Sequence, residues 1–189
     1  LANEKGAIDR LFQNEDAFAQ NFNNVISKRL AHIPNIDTDL MRYLQTNLEH
    51  LPNHPSICLE GMRGLINKCF DIIWNAEFGG KTVPDGHFDI WRHHGESERL
   101  QDFKTSFPQG GKRLSLLKVL TTPERSNPLA KVVSQSTYVA INALYPFGDF
   151  GQHQEGEKMN LHMVYSSMLL AVELVASLQN DLANCKDGV

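Results

Sequence analysis

Apolar positions recur at three- and four-residue intervals over most of the chain, the period of an amphipathic helix. Ile8, Leu11, Phe12, Phe18, Phe22, Val25, Ile26 and Leu30 form one such stripe, with Asp9, Arg10, Asn14, Glu15, Asn23 and Lys28 opposite it. The stripe predicts a first helix over about 3–30, ended by Pro34. Asp37 or Thr38 then caps a second helix with Leu40, Met41, Leu44, Leu48 and Leu51 inward. Pro52 and Pro55 bracket a turn, and Ser56 is the expected cap of a third helix. There Ile57, Met62, Leu65, Ile66, Cys69, Phe70, Ile73 and Trp74 make a wide apolar face, as a central helix with several neighbours needs. Gly79 and Gly80 stop it.

Residues 77–97 break the period and predict a long irregular loop, a feature often tied to function. Short helices are expected around Leu100, Phe103 and Phe107 and from Leu114 to Leu120. A longer one over about 127–144 carries Leu129, Val132, Val133, Tyr138, Val139, Ile141 and Leu144 and ends at Tyr145-Pro146. A glycine-rich loop follows over 147–156. The last helix, about 157–183, turns Leu161, Val164, Met168, Leu169, Val172, Val175 and Leu178 inward. No hairpin dipeptide separates alternating runs, and no repeat recurs. The expected fold class is all-α: a helical bundle of four to five long helices with short extra helices and a long irregular loop.

The 189 residues suit one domain with a sizeable core. A net charge of −4 and a pI near 6.1 supply no global basic field for nucleic acid, so any such contact needs a local patch. Lys112, Arg113, Arg125 and Lys131 are candidates for one. Three cysteines, an odd count, do not make a disulfide framework. Cys58 and Cys69 share a helix and sit roughly 16 Å apart at its rise per residue, so they read as small buried apolar groups. The opening residues, Leu1 to Arg10, lack the apolar core of a signal peptide. The stretch Met163–Leu178, broken by Ser166, Ser167 and Glu173, reads as too short and too polar to span a bilayer. A cytoplasmic protein without membrane contact is the expectation. The chain opens on Leu1 instead of methionine, as a trimmed chain or a fragment of a longer one does.

Three segments carry candidate chemistry. In Tyr145–Gly156, Asp149 can cap or turn locally, Gly148 and Gly151 permit close approach, and Gln152, His153 and Gln154 gather polar groups before the last helix. Against this stands a plain loop whose histidine only bonds a neighbour. In the 77–97 loop, Arg92, His93 and Arg99 supply positive charge and Trp91 a stacking face for a phosphate or a partner. His87, Asp89, His93 and Glu96 would be the ligands of a metal-dependent hydrolase, but their spacing matches no catalytic metal motif, and neither metal nor cofactor is expected. Gly110-Gly111-Lys112-Arg113 opens a helix with amides and two cations that suit a phosphate, although Ser106 removes the P-loop pattern.

A long helix, a glycine-bearing loop closing on a histidine and a long terminal helix together resemble the HEPN superfamily of helical bundles. Its ribonuclease members carry Arg, a polar residue, a short spacer and then His; relatives without nuclease activity place Gly-Asn before the same His. Here Gly148-Asp149-Phe150-Gly151-Gln152-His153 has that spacing, with Asp149 at the polar position and Gly148 at the arginine position. The resemblance covers residues from about Pro55 onward, so a helical hairpin over 1–51 is expected to pack on a HEPN-like bundle over 55–189 as one domain.

The resemblance implies a domain that binds RNA, a nucleotide or a protein partner in a bacterial defence or stress system, and a homodimer with its motif loops facing each other. Gly148 supplies no cation, which favours a version without catalysis. If the chain is an enzyme, a metal-independent endoribonuclease is implied. His153 would then transfer protons, Asp149 and Gln152 would orient it, and an arginine from elsewhere, such as Arg63, would stand in for the missing one. The competing reading is a protein-interaction or dimerisation module of a larger protein.

Overall fold

The computed structural model describes residues 15–51, 53–80, 83–84, 86–87, 111–122, 128–152 and 161–186. Among them are six helices and no strand: α1 (Glu15–Ala31), α2 (Thr38–His50), α3 (Pro55–Phe78), α4 (Gly111–Thr121), α5 (Gln135–Gln152) and α6 (Leu161–Lys186). The expected all-α bundle is the observed one. The short helix around Leu100 and most of the irregular loop lie outside the described residues.

Helix α3 is the axis of the bundle and packs against α2, α5 and α6, while α6 also meets α1, α2 and α5. Its nine buried residues, from Cys58 to Trp74, spread around more than one face, as its wide apolar pattern requires. All but Trp74 join Ile26, Leu40, Leu44, Ile141, Leu144, Val164, Met168, Val172 and Val175 in one core. Where α4 crosses the end of α3, Trp74, Val83, Leu116, Val119 and Leu120 make a smaller second cluster. On the other side of the bundle, Phe18 and Phe22 of α1 meet the Tyr165 ring of α6 edge-on at 4.8 and 4.6 Å between centroids.

Helix ends follow local chemistry. Asp37 caps α2, accepting from the amides of Asp39 and Leu40, and Lys68 of α3 bonds Asp39 at 2.8 Å, tying that cap to the central helix. The start of α3 corrects the expectation of Ser56: His54 is the cap residue and Pro55 takes the first helical position, where its missing N–H costs nothing. At the far end Gly79 adopts a left-handed φ of 60° and donates to the Asn75 carbonyl.

Two boundaries move. The segment before α5 is not helical, because the Glu77 carboxylate takes the amides of Lys131, Val132 and Val133 at 2.7–2.8 Å. Asp181 of α6 holds the next residue, accepting from the Ser134 amide and hydroxyl, both at 2.9 Å, and from Thr137 Oγ1 at 2.6 Å. With those amides taken, α5 starts at Gln135 instead of near Asn127. At its other end α5 does not stop at Tyr145-Pro146 but continues to Gln152, so residues 147–152 are helix and not loop. An internal proline costs a helix about 3 kcal/mol. Burial of Leu144 and Gly148 and a polar clamp around Asp149 act against that cost.

Four residues placed on inward stripes, Val25, Ile57, Val139 and Leu169, are 41–56% exposed. Each sits at the edge of its stripe or beyond it, where no described helix covers it. Helix α6 also runs past both ends of Met163–Leu178. Leu161–Cys185 is long and apolar enough by length and composition to cross a membrane, which corrects the length and polarity read from the shorter stretch. Half of its most apolar part is buried in the bundle.

Candidate functional site

Extending α5 through Pro146 changes the meaning of its last turns. Tyr145, Gly148 and Asp149 stand at i, i+3 and i+4, on one face of a helix, and that face meets Arg63 of α3. Gly148 is buried with no side chain, so the α5 backbone lies against Arg63; a Cβ there would come within 3.2 Å of the Arg63 N and Cα. The Arg63 guanidinium then bridges one turn of α5. Its carbon lies 4.5 Å from the centre of the Tyr145 ring, and its Nη1 donates to Asp149 Oδ1. The Arg63 side chain is 14% exposed and that of Asp149 44%, so the cation sits inside with its counter-ion at the rim.

This cluster holds three of the candidate residues, Arg63, Gly148 and Asp149, and brings Arg63 against Gly148. Asp149 neither caps nor turns the chain; it sits within a helix and accepts from a cation 86 residues away. Gly151 and Gln152 lie in the last turn of α5. His153, Gln154, Trp91, Arg92 and His93 lie outside the described residues, as do Asp89 and Glu96.

Lys112 and Arg113 do open a helix, α4, as expected. Arg113, however, turns onto α3, where it pairs with Asp71 at 3.1 Å above the Phe70 ring and is 16% exposed. Asp71 lies eight residues, or about 12 Å of helix, beyond Arg63, so the two arginines engage different stretches of α3. Arg29 pairs with Glu173, Arg42 with Asp39, and Lys68 with Asp39 and Asp37. Five cations of the described residues are therefore engaged inside the chain. His87 packs its ring edge-on to Phe78, and burial is the main cause that lowers its pKa. Among the described residues no three His, Cys, Asp or Glu side chains converge as metal ligands.

Cys58 and Cys69 are buried on α3 as expected, and desolvation pushes each thiol up to about 12, far from the range of a nucleophile. Tyr145 is not legible as a binding group in the sequence, because Tyr145-Pro146 reads as a helix end. The signal was the i, i+4 spacing of Tyr145 and Asp149, visible only if the helix is carried through Pro146. No motif points to the carboxylates of Glu77 and Asp181, whose amide partners lie far away in sequence.

No protein-family model, curated protein or solved structure matches this chain.

Proposed function

We propose that this chain is a HEPN-like helical domain without nuclease chemistry, which docks a protein partner, itself included, through the end of α5. The observation that carries the reading is the state of Arg63. A cation that must meet a scissile phosphate has to be open to it. Arg63 instead lies stacked on Tyr145, bound to Asp149 and 14% exposed. The group nominated to replace the missing motif arginine is spent on holding α5 to α3. The other paired cations and the net charge of −4 also favour a protein partner over RNA, whose binding scales with free phosphate-neutralising cations. Under this reading the context of bacterial defence or stress and the homodimer come from the HEPN resemblance.

A second reading has one observation in its favour: the Arg63 guanidinium does adjoin the motif at Asp149. Displacement of Asp149 by a phosphate would give a ribonuclease with a rearranged site, using His153 for proton transfer. One experiment separates the two. RNA binding by fluorescence anisotropy and RNA cleavage are measured for the wild type, His153→Ala and Arg63→Ala at several salt concentrations, beside the mass of the protein in solution by light scattering. A dimer with no cleavage attributable to His153 is expected. Cleavage lost in both variants would replace the proposal with the ribonuclease.

A further inference from the structure

A cleft of about 390 Å³ opens between the end of α1, the Ile33–Pro34 turn and the outer face of α6, on a different part of the bundle from Arg63. That volume is within the range of small-ligand sites. Ile33, Pro34 and Ala176 give it apolar walls, and its polar groups are His32, Ser177 and Asn180, with the Arg29–Glu173 pair at one side.

The hydrogen-bond pattern assigns the proton of each hydroxyl and ring nitrogen. Thr137 Oγ1 lies 2.6 Å from Asp181 Oδ2, and an ionised carboxylate only accepts, so Thr137 spends its single proton there. Ser177 Oγ lies 2.8 Å from the same Thr137 oxygen and must therefore donate to it. Ser177 lines the cleft, and its hydroxyl, with its proton already used, has only lone pairs to offer. His32 is fixed in the same manner. Its Nδ1 lies 2.6 Å from the Lys28 carbonyl, which cannot donate, so Nδ1 carries a proton, and in a neutral imidazole Nε2 is then the acceptor. Glu173 adds a carboxylate whose two oxygens each take one bond from Arg29, leaving further lone pairs.

The fields point the same way. The cleft lies at the C-terminal end of α1, where the helix dipole is negative. Behind Ser177 stands Asp181, a buried carboxylate held by backbone and hydroxyl donors. Arg29 in the same wall is neutralised by Glu173, so the acceptors at Ser177 and His32, with the Asp181 carboxylate behind them, are what the cleft offers a ligand that is positively charged and rich in N–H donors.

We infer that this cleft binds a primary alkylammonium group, its stem against Ile33, Pro34 and Ala176 and its N–H groups directed at Ser177 Oγ and His32 Nε2. The shared chemistry has two sources: a free aliphatic diamine or polyamine, and the lysine side chain of another protein.

The test is calorimetric titration of the whole chain at low salt and about pH 8, where an ordinary histidine is neutral. The probes are cadaverine, the amide of N-acetyl-lysine, the fully methylated bis-quaternary form of cadaverine, and pentanol. Cadaverine is expected to bind while pentanol and the quaternary form do not, because the one lacks charge and the other lacks N–H donors. Ser177→Ala and His32→Phe, each checked for a wild-type melting profile, are expected to weaken binding about three- to tenfold. The lysine amide binding at least as tightly as cadaverine would identify a protein side chain as the source; cadaverine alone binding would identify a free amine. Equal binding of the quaternary form, no heat with either amine, or variants that bind like the wild type would each overturn the assignment.

Discussion

If Arg63 is a clamp between α3 and α5, its removal must be felt as stability and its partners must couple. Arg63→Met keeps most of the aliphatic stem and deletes the charge. Because Asp149 is 44% exposed, the ion pair is screened and contributes about 0.5–1 kcal/mol. Stacking on Tyr145 at 4.5 Å adds about 0.5–1 kcal/mol. The expected loss is about 1–2 kcal/mol, a fall in Tm of about 2–8 °C for a chain of this size. Asp149→Asn is expected to cost about 1 kcal/mol, since it leaves a largely buried cation without its counter-ion. Urea unfolding followed by circular dichroism on the wild type, both single variants and the double variant gives the coupling directly. A coupling of about 0.5–1 kcal/mol is expected, with a smaller one between Arg63→Met and Tyr145→Leu. Coupling within about 0.3 kcal/mol of zero, or an Arg63→Met protein as stable as the wild type, would refute the clamp and return Arg63 to the pool of free cations.

Further outcomes follow from other contacts. Asp181→Ala strips three acceptor bonds from the start of α5, including that of the fully buried Thr137, and should cost about 3 kcal/mol by the same unfolding assay. Gly61→Ala drives a methyl into the Asn47 carboxamide where α2 crosses α3 and should cost about 2–3 kcal/mol, measured as a fall in Tm. In native protein at neutral pH a thiol reagent should titrate Cys185 alone, with Cys58 and Cys69 reacting only after denaturant is added; their thiols, pushed up to about 12 by burial, hold almost no thiolate. The Glu173 carboxyl is held below its ordinary range, first by its hydrogen bond from Arg29. Its contribution is therefore present above the unfolded carboxylate pKa and lost as pH falls through the lower folded value. Both side chains are about half exposed, so Glu173→Gln should cost under about 0.5 kcal/mol at neutral pH and nothing in acid, read from unfolding curves at the two pH values.

Much of the candidate site could be read before any fold was known. The spacing to His153 marks Gly148 and Asp149, and the HEPN resemblance, which would need a cation that Gly148 lacks, points to Arg63. The grip itself was hidden because Pro146 reads as a helix end, which detached Tyr145 from Asp149. Local chemistry at a proline favours termination. Packing of Leu144 and Gly148 on α3 overrode it, and only a tertiary contact carries that information. Arg113 shows the converse: its place at the start of α4 was legible, but its partner, Asp71 on another helix, was not.

The six described helices and most of their buried faces are legible along the chain, since the 3.6-residue period, Asp37 as a cap, Pro55 at a helix start and the Gly79 stop act within a few residues of one another. The tertiary structure decided which carboxylate meets which donor. Glu77 takes amides more than fifty residues away and so moves the start of α5, while Arg63 and Asp149 meet across 86 residues. A hydrogen bond reaches about 3 Å, and no pattern along the chain says which groups that far apart in sequence come within that reach; the crossing of the packed helices alone brings them together.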